Sequence, residues 1–164
     1  MSYAAYDYDA PLYEGVLTRR VVAWCIDLFL IGILVCIAWL AIVLLGVLTL
    51  GAGFILLAAL PPFGFFYHAL FVAGSRSATP GQLMMDLVVR REFDLGPPTL
   101  VQAILFTGGL WVTLSFAFVL LAVAPFTARK RTLHDIVAGV VIVRNRALTR
   151  RLGSMNMGVG TFAR

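Results

Sequence analysis

The feature that most constrains the fold is a run of 48 residues, 28–75, without any Asp, Glu, Lys or Arg. A membrane-spanning helix needs about 20 apolar residues, so this run is long enough for two spans. Residues 46–53 hold three glycines and leave room only for a tight turn. The sequence therefore predicts an antiparallel pair of membrane segments at about 25–46 and 54–73. Pro61-Pro62 should kink the second of them, because proline removes a backbone donor and clashes with the preceding turn.

A second uncharged stretch, 95–128, predicts a third membrane segment at about 99–126. It is long for one helix and short for two full crossings. It forms either one tilted span or a re-entrant hairpin that breaks at Gly108-Gly109. We favour the hairpin, because it places all 13 Lys and Arg residues on one face of the membrane.

The composition sets the class of protein. Apolar residues make up 61% of the chain and charged residues 13%, against roughly 45–50% and 25% in soluble domains. The fold class predicted is all-α: a small helical membrane bundle of about three embedded segments, with short amphipathic or interfacial helices. This domain would cover 15–146, between a flexible polar N-terminal tail (1–14) and a basic, glycine-containing flexible C-terminal tail (147–164). The net charge of +5 is interpreted as contact with anionic lipid headgroups, not with nucleic acid.

Nothing in the sequence indicates enzyme chemistry, a cofactor or a metal site. The two cysteines, Cys25 and Cys36, are 11 residues apart on one predicted helix. This separation is about 16 Å along the axis, beyond disulfide reach. No His or carboxylate joins them at ligand spacing, and no catalytic constellation or phosphate-binding loop is present.

The segment that begins at Thr79 predicts the start of a helix. Thr79 would be the N-cap, Pro80 would take the first helical position, and Gln82 would complete a capping box. We expect Gln82 to cap the helix and not to bind a ligand. The helix that follows would be short, with Gln82, Asp86 and Arg90 as its polar stripe, and would lie at the membrane interface.

A small set of polar residues beside the membrane segments carries the functional hypotheses. Arg20 and Asp27 lie on one helical stripe, and carboxylates near lipid are costly. We expect Arg20, Asp27 and Asp135 to form a mutually neutralising network at one membrane face, with an ion or proton site as the alternative. Further candidates are partners for Asp27 and histidines that either pack or handle a proton: Arg76, Arg131, His68 and His134.

Three motifs carry a resemblance to a known family. They are GVLTRRVVAWCIDLFLIG (15–32), SATPGQ (77–82) and RTLHDIVAGVVIV (131–143). In this order they resemble the RDD family of bacterial membrane proteins, named for one arginine and two aspartates. The resemblance assigns these roles to Arg20, Asp27 and Asp135. The chain departs from the family at Gln82, where a lysine is common, and at Val140, where a threonine is common.

The resemblance implies a compact multi-pass domain in the bacterial cytoplasmic (inner) membrane. Sodium–proton antiport has been suggested for some relatives, so ion-coupled transport through membrane-embedded carboxylates is the most concrete function. The alternative is a non-catalytic accessory or scaffold protein that binds anionic lipid or a partner protein through its basic face. A homo-oligomer is expected for transport, since three segments cannot easily enclose a pathway.

Overall fold

The computed structural model describes residues 11–116 and 129–161, which are mostly helical. The helices and strands are α1 (Val16–Leu48), a 3₁₀ helix (Ala52–Ala59), α2 (Phe63–Ala73), α3 (Pro80–Met84), β1 (Leu87–Arg91), α4 (Leu100–Phe116), α5 (Leu133–Val137), β2 (Val140–Arg144) and α6 (Asn145–Thr161). The helical majority agrees with the predicted class. The two strands correct the all-α part of that prediction.

Helix α1 contains the predicted membrane segment 25–46. Its 33 residues correspond to about 50 Å, longer than the hydrocarbon core of about 30 Å. Large apolar side chains such as Phe29 and Leu44 are exposed along it. Within the described residues, this is the one continuous helix that is long and apolar enough to cross a membrane.

The second predicted segment, 54–73, is bent as expected. The 3₁₀ helix and α2 meet at 54°, and the break holds Pro61 and Pro62. If this bent pair is one span, the described chain has up to two. The turn before it is tight: a Cβ atom on Gly53 would lie 2.8 Å from the backbone nitrogen of Gly46. Only glycine allows so close an approach, which explains the glycines of this turn.

Helix α4 runs without a break through Gly108-Gly109, so the predicted break at these glycines is wrong. Gly109 serves a different purpose. A Cβ atom there would lie 2.6 Å from Cβ of His134, so the missing side chain lets α5 pack against α4. The remainder of the predicted third segment, 117–126, lies outside the described residues.

Strands β1 and β2 form a two-stranded antiparallel sheet in which Val89 faces Ile142. The interfacial helix predicted after Thr79 would include the residues that form the first strand. The chain instead leaves α3 through Asp86, whose φ is 62°, and continues as LVVRR. Runs of β-branched residues favour a pleated strand. Residues 87–89 of β1 and 140–143 of β2 are buried because apolar residues cover both faces of the sheet.

The ends of the described chain pack under this sheet. Leu12 and Leu148 are buried in one cluster with Val88 and Val141. Residues 11–14 are therefore attached to the domain, while 1–10 lie outside the described residues. The region interpreted as a flexible C-terminal tail forms α6 as far as Thr161. Leu148 is buried near the start of α6, and this packing explains why the helix is ordered at that end.

Candidate functional site

The carboxylate of Asp27 is held by three neutral donors. Asp27 is 4% exposed and projects from α1. Its Oδ1 accepts hydrogen bonds from the hydroxyl of Tyr67 at 3.0 Å and from the backbone N–H of Gly81 at 2.8 Å. Its Oδ2 accepts one from the hydroxyl of Thr79 at 2.5 Å. These donors replace the water that a buried carboxylate loses.

The donors come from the start of α3, which is built as the sequence predicts. The backbone N–H of Thr79 donates to Oε1 of Gln82 at 2.9 Å, and the N–H of Gln82 donates to Oγ1 of Thr79 at 3.2 Å. The capping box is thus confirmed. A Cβ atom on Gly81 would overlap the carbonyl oxygen of Ala23 and lie 2.8 Å from Cγ of Asp27. The motif TPGQ therefore forms a close-fitting helix N-terminus around the anion, where the helix dipole also favours negative charge.

The arginines that were expected to pair with Asp27 do not contact its carboxylate. Across residues 11–116 and 129–161, no ion pair joins Asp27 to Arg20, Arg76 or Arg131. Arg76 is exposed, and Arg131 pairs with Glu92 at 2.6 Å. The prediction that Asp27 belongs to a charge-neutralising network is wrong, because hydrogen bonds from uncharged groups already satisfy it.

The other half of that network is present. Nη2 of Arg20 lies 2.5 Å from Oδ2 of Asp135, which is fully buried. The same oxygen accepts the backbone N–H of Thr132 at 2.8 Å, so Thr132 and Asp135 form a capping box at the start of α5. Nη1 of Arg20 donates to the carbonyl oxygen of Lys130 at 3.2 Å. Arg20 thus connects α1 to the segment that leads into α5.

His134 lies beside this ion pair, and its hydrogen bonds assign its tautomer. The hydroxyl of Thr113 donates to the carbonyl of Gly109 at 2.7 Å, so its oxygen can only accept from Nδ1 of His134 at 3.4 Å. Nε2 then accepts from the hydroxyl of Thr132 at 3.0 Å. Oδ1 of Asp135 is 3.5 Å from Nε2, and no donor in residues 11–116 or 129–161 bonds to it.

The protonation state of His134 follows from its surroundings. Burial lowers the pKa of His134 below its usual value, Asp135 opposes this shift and Arg20 adds to it. His134 is therefore neutral at pH 7, in agreement with the tautomer. A proton that reached Nε2 would find Oδ1 of Asp135 as a ready acceptor.

A cavity of about 260 Å³ joins the two polar groups. It lies among α1, α2, α4 and α5, and His68 reaches it from α2. No side chain or backbone group of the described chain bonds to Nδ1 of His68, although this atom is buried. The ring of Phe106 lies between the two histidines, 5.8 Å from His68 and 5.5 Å from His134. The polar lining residues are Arg20, Asp27, His68, Gln82, Thr132 and His134.

Two residues of this site were not among those predicted from the sequence. Tyr67 binds Asp27, and Thr113 orients His134. Tyr67 precedes His68, and these two polar side chains interrupt an apolar segment, which is a signal that could have been used. Thr113 gave no comparable signal, because isolated threonines are common in apolar helices.

Comparison with known proteins gives one match. The model of the RDD family matches residues 15–139, which include Arg20, Asp27 and Asp135. No curated protein and no solved structure matches the chain.

Proposed function

This chain belongs to the RDD family of membrane proteins, and we propose that it takes part in ion-coupled transport with a proton as the coupling ion. The observation that carries this proposal is the cavity that joins Asp27, His68 and His134. Titratable groups that share a cavity beside membrane segments are typical of proton-handling sites.

The charges around the cavity leave room for one proton. Two buried carboxylates, Asp27 and Asp135, face a single guanidinium, Arg20. His134 is neutral, so one negative charge is uncompensated among the described groups around the cavity. A proton on His68 would balance it, and the unpartnered Nδ1 of His68 is available to hold one.

Sodium fits the cavity less well than a proton. Hard cations prefer several oxygen ligands, whereas the arginine and the two histidines offer nitrogens, and the amide oxygen of Gln82 already accepts the N–H of Thr79. Both oxygens of Asp27 already accept hydrogen bonds. No cluster of three or more metal-ligating side chains occurs in the part of the chain that the structure describes. Sodium, if exchanged, would therefore bind outside this cavity or with few protein ligands.

Proton movement can be tested in liposomes that contain the purified protein and an internal pH-sensitive dye. After a pH step, with and without a sodium gradient, we expect flux above that of empty liposomes. His68→Gln should reduce this flux about tenfold or more, as expected for loss of a proton-transfer group. Val22→Ala is the matched control, because Val22 is exposed on α1 and does not line the cavity. Equal flux in wild type and His68→Gln would contradict the proposal.

We also propose that the protein is multi-pass in the bacterial cytoplasmic membrane, with its basic segments on one side. The sheet pairs β1 with β2, and Glu92 binds both Arg129 at 3.2 Å and Arg131 at 2.6 Å. The chain that leaves the sheet after Arg91 is therefore back beside it at Arg129. This geometry supports the one-sided arrangement of bases, although α4 does not break at its glycines.

Labelling with an impermeant thiol reagent tests this topology. Single cysteines would be placed at the exposed positions Thr18, Thr49 and Thr149, after Cys25 and Cys36 are replaced by serine. In intact cells we expect labelling at Thr49 alone, because a cytoplasmic basic face places only this turn outside. Labelling at Thr149 but not at Thr18 would contradict the one-sided arrangement.

One surface supports the alternative function, that of an accessory protein that binds anionic lipid or a partner protein. Arg146 and Arg150 are exposed on α6, on the same end of the molecule as the sheet. Exposed arginines beside a membrane attract anionic headgroups, at about 1 kcal/mol each near the surface. Lipid contact of this kind is compatible with transport and does not require the cavity.

A further inference from the structure

We propose that the cavity binds a small lipophilic organic cation, which competes with a proton for the uncompensated charge of Asp27. This inference rests on the proposed function and names the class of substrate that the protein would exchange for protons.

The walls suit an apolar body with an aromatic contact. Most lining residues are apolar and surround the polar end: Leu17, Val21, Ala23, Trp24, Phe106, Leu110, Leu114 and Ile142. The faces of tryptophan and phenylalanine attract cations. Ligand pockets usually measure about 300–1,000 Å³, so a cavity of about 260 Å³ suits a small molecule and excludes a whole lipid.

Access is from the apolar surface of α1. Val21 is 62% exposed and Trp24 is 42% exposed, and both line the cavity. Exposed apolar side chains on this helix face the lipid in a membrane protein. A ligand would therefore enter from the bilayer, which requires a molecule that dissolves in lipid.

Charge selects a cation over an anion or a neutral ligand. Arg20 is already neutralised by Asp135, whereas Asp27 is held by uncharged donors. An anion would add a second uncompensated negative charge to a buried site. Both oxygens of Asp27 are occupied, so a quaternary ammonium, which donates no hydrogen bond, suits the charge without needing a free acceptor.

Competition with protons follows from the same charge balance. The titratable and charged groups around His68 are Arg20 and Asp27 from α1, Tyr67 from α2, and His134 and Asp135 from α5. Of the side chains that the structure describes on α3 and α4, those that line the cavity are uncharged: Gln82, Phe106, Leu110 and Leu114. A proton on His68 and an organic cation would each supply the one missing positive charge, so binding of either weakens binding of the other.

The test is calorimetric titration of the protein in lipid nanodiscs with benzyltrimethylammonium. Its uncharged isostere, neopentylbenzene, has the same shape without the charge. We expect saturable binding of the cation at about pH 8 and progressively weaker binding as the pH falls, with at least a tenfold loss once His68 has taken up its proton. Neopentylbenzene should bind more weakly and without dependence on pH.

Three variants separate charge from folding. Asp27→Asn should weaken binding of the cation tenfold or more, and Val22→Ala should leave it unchanged. His68→Gln should keep the affinity at about pH 8 and lose most of its dependence on pH. A general loss of folding would not remove the dependence on pH while the affinity at about pH 8 stays unchanged.

Two results would overturn the inference: no saturable binding of benzyltrimethylammonium at about pH 8, or equal affinities for the cation and its isostere. Proton flux in liposomes that survives such a result would leave the proposed function standing. The failure of the substrate assignment and the failure of the proton site are therefore distinguishable.

Discussion

Replacing Asp27 with alanine is expected to lower the free energy of unfolding in detergent by about 3–5 kcal/mol. The substitution leaves three buried donors without an acceptor, namely the hydroxyls of Tyr67 and Thr79 and the N–H of Gly81. Each unsatisfied buried donor costs about 1–3 kcal/mol, and the lower end applies where a hydroxyl can rotate. Thermal unfolding of the purified protein, followed by circular dichroism, measures the loss.

The control is Asp27→Asn, which keeps the shape and one carbonyl acceptor. Because Asp27 pairs with no cation among the described residues, removal of its charge should cost much less than removal of its oxygens. We expect a loss below about 2 kcal/mol, since the asparagine amide can donate to the oxygen of Thr79. Equal losses for the alanine and asparagine variants would contradict this account and would indicate that the charge itself stabilises the fold.

Features of the fold that depend on residues close together in sequence could be predicted, whereas those that depend on distant residues could not. The charge-free run, the kink at Pro61-Pro62 and the cap at Thr79 are set by residues close together in sequence, and all three are present. The sheet is not local, because β1 and β2 are about 50 residues apart and each is only five residues long. An apolar run of this length fits a strand or a buried helix equally well, so its pairing was missed.

The same distinction applies to the site. The charge pattern correctly suggested Arg20 as a partner of Asp135, because a buried carboxylate needs a partner and Arg20 lies at the start of a predicted membrane segment. It failed for Asp27, because backbone N–H and hydroxyl groups are as effective as a cation and leave no signal in a count of charges. Glycine gave a similarly ambiguous signal: Gly109 suggested a hinge, whereas its role is to admit His134.

The ion pair of Arg20 and Asp135 is expected to be the second large contribution to stability. Arg20→Met leaves a fully buried carboxylate without its cation, and the loss of one partner of a buried pair costs about 3–5 kcal/mol. Asp135→Asn keeps an acceptor for the N–H of Thr132 but removes the charge that Arg20 faces. Each single variant should therefore be strongly destabilised in detergent.

The double variant distinguishes a pair from a network of three. Arg20→Met with Asp135→Asn should lose about 1–3 kcal/mol less than the two single effects together, because either substitution alone already breaks the interaction. Arg20→Met with Asp27→Asn should be additive within about 0.5 kcal/mol, since Arg20 and Asp27 share no hydrogen-bond partner. Coupling of similar size in both cycles would mean that Asp27 belongs to the charge network after all. Additivity in the second cycle alone would confirm that Asp27 stabilises the fold independently of the ion pair of Arg20 and Asp135.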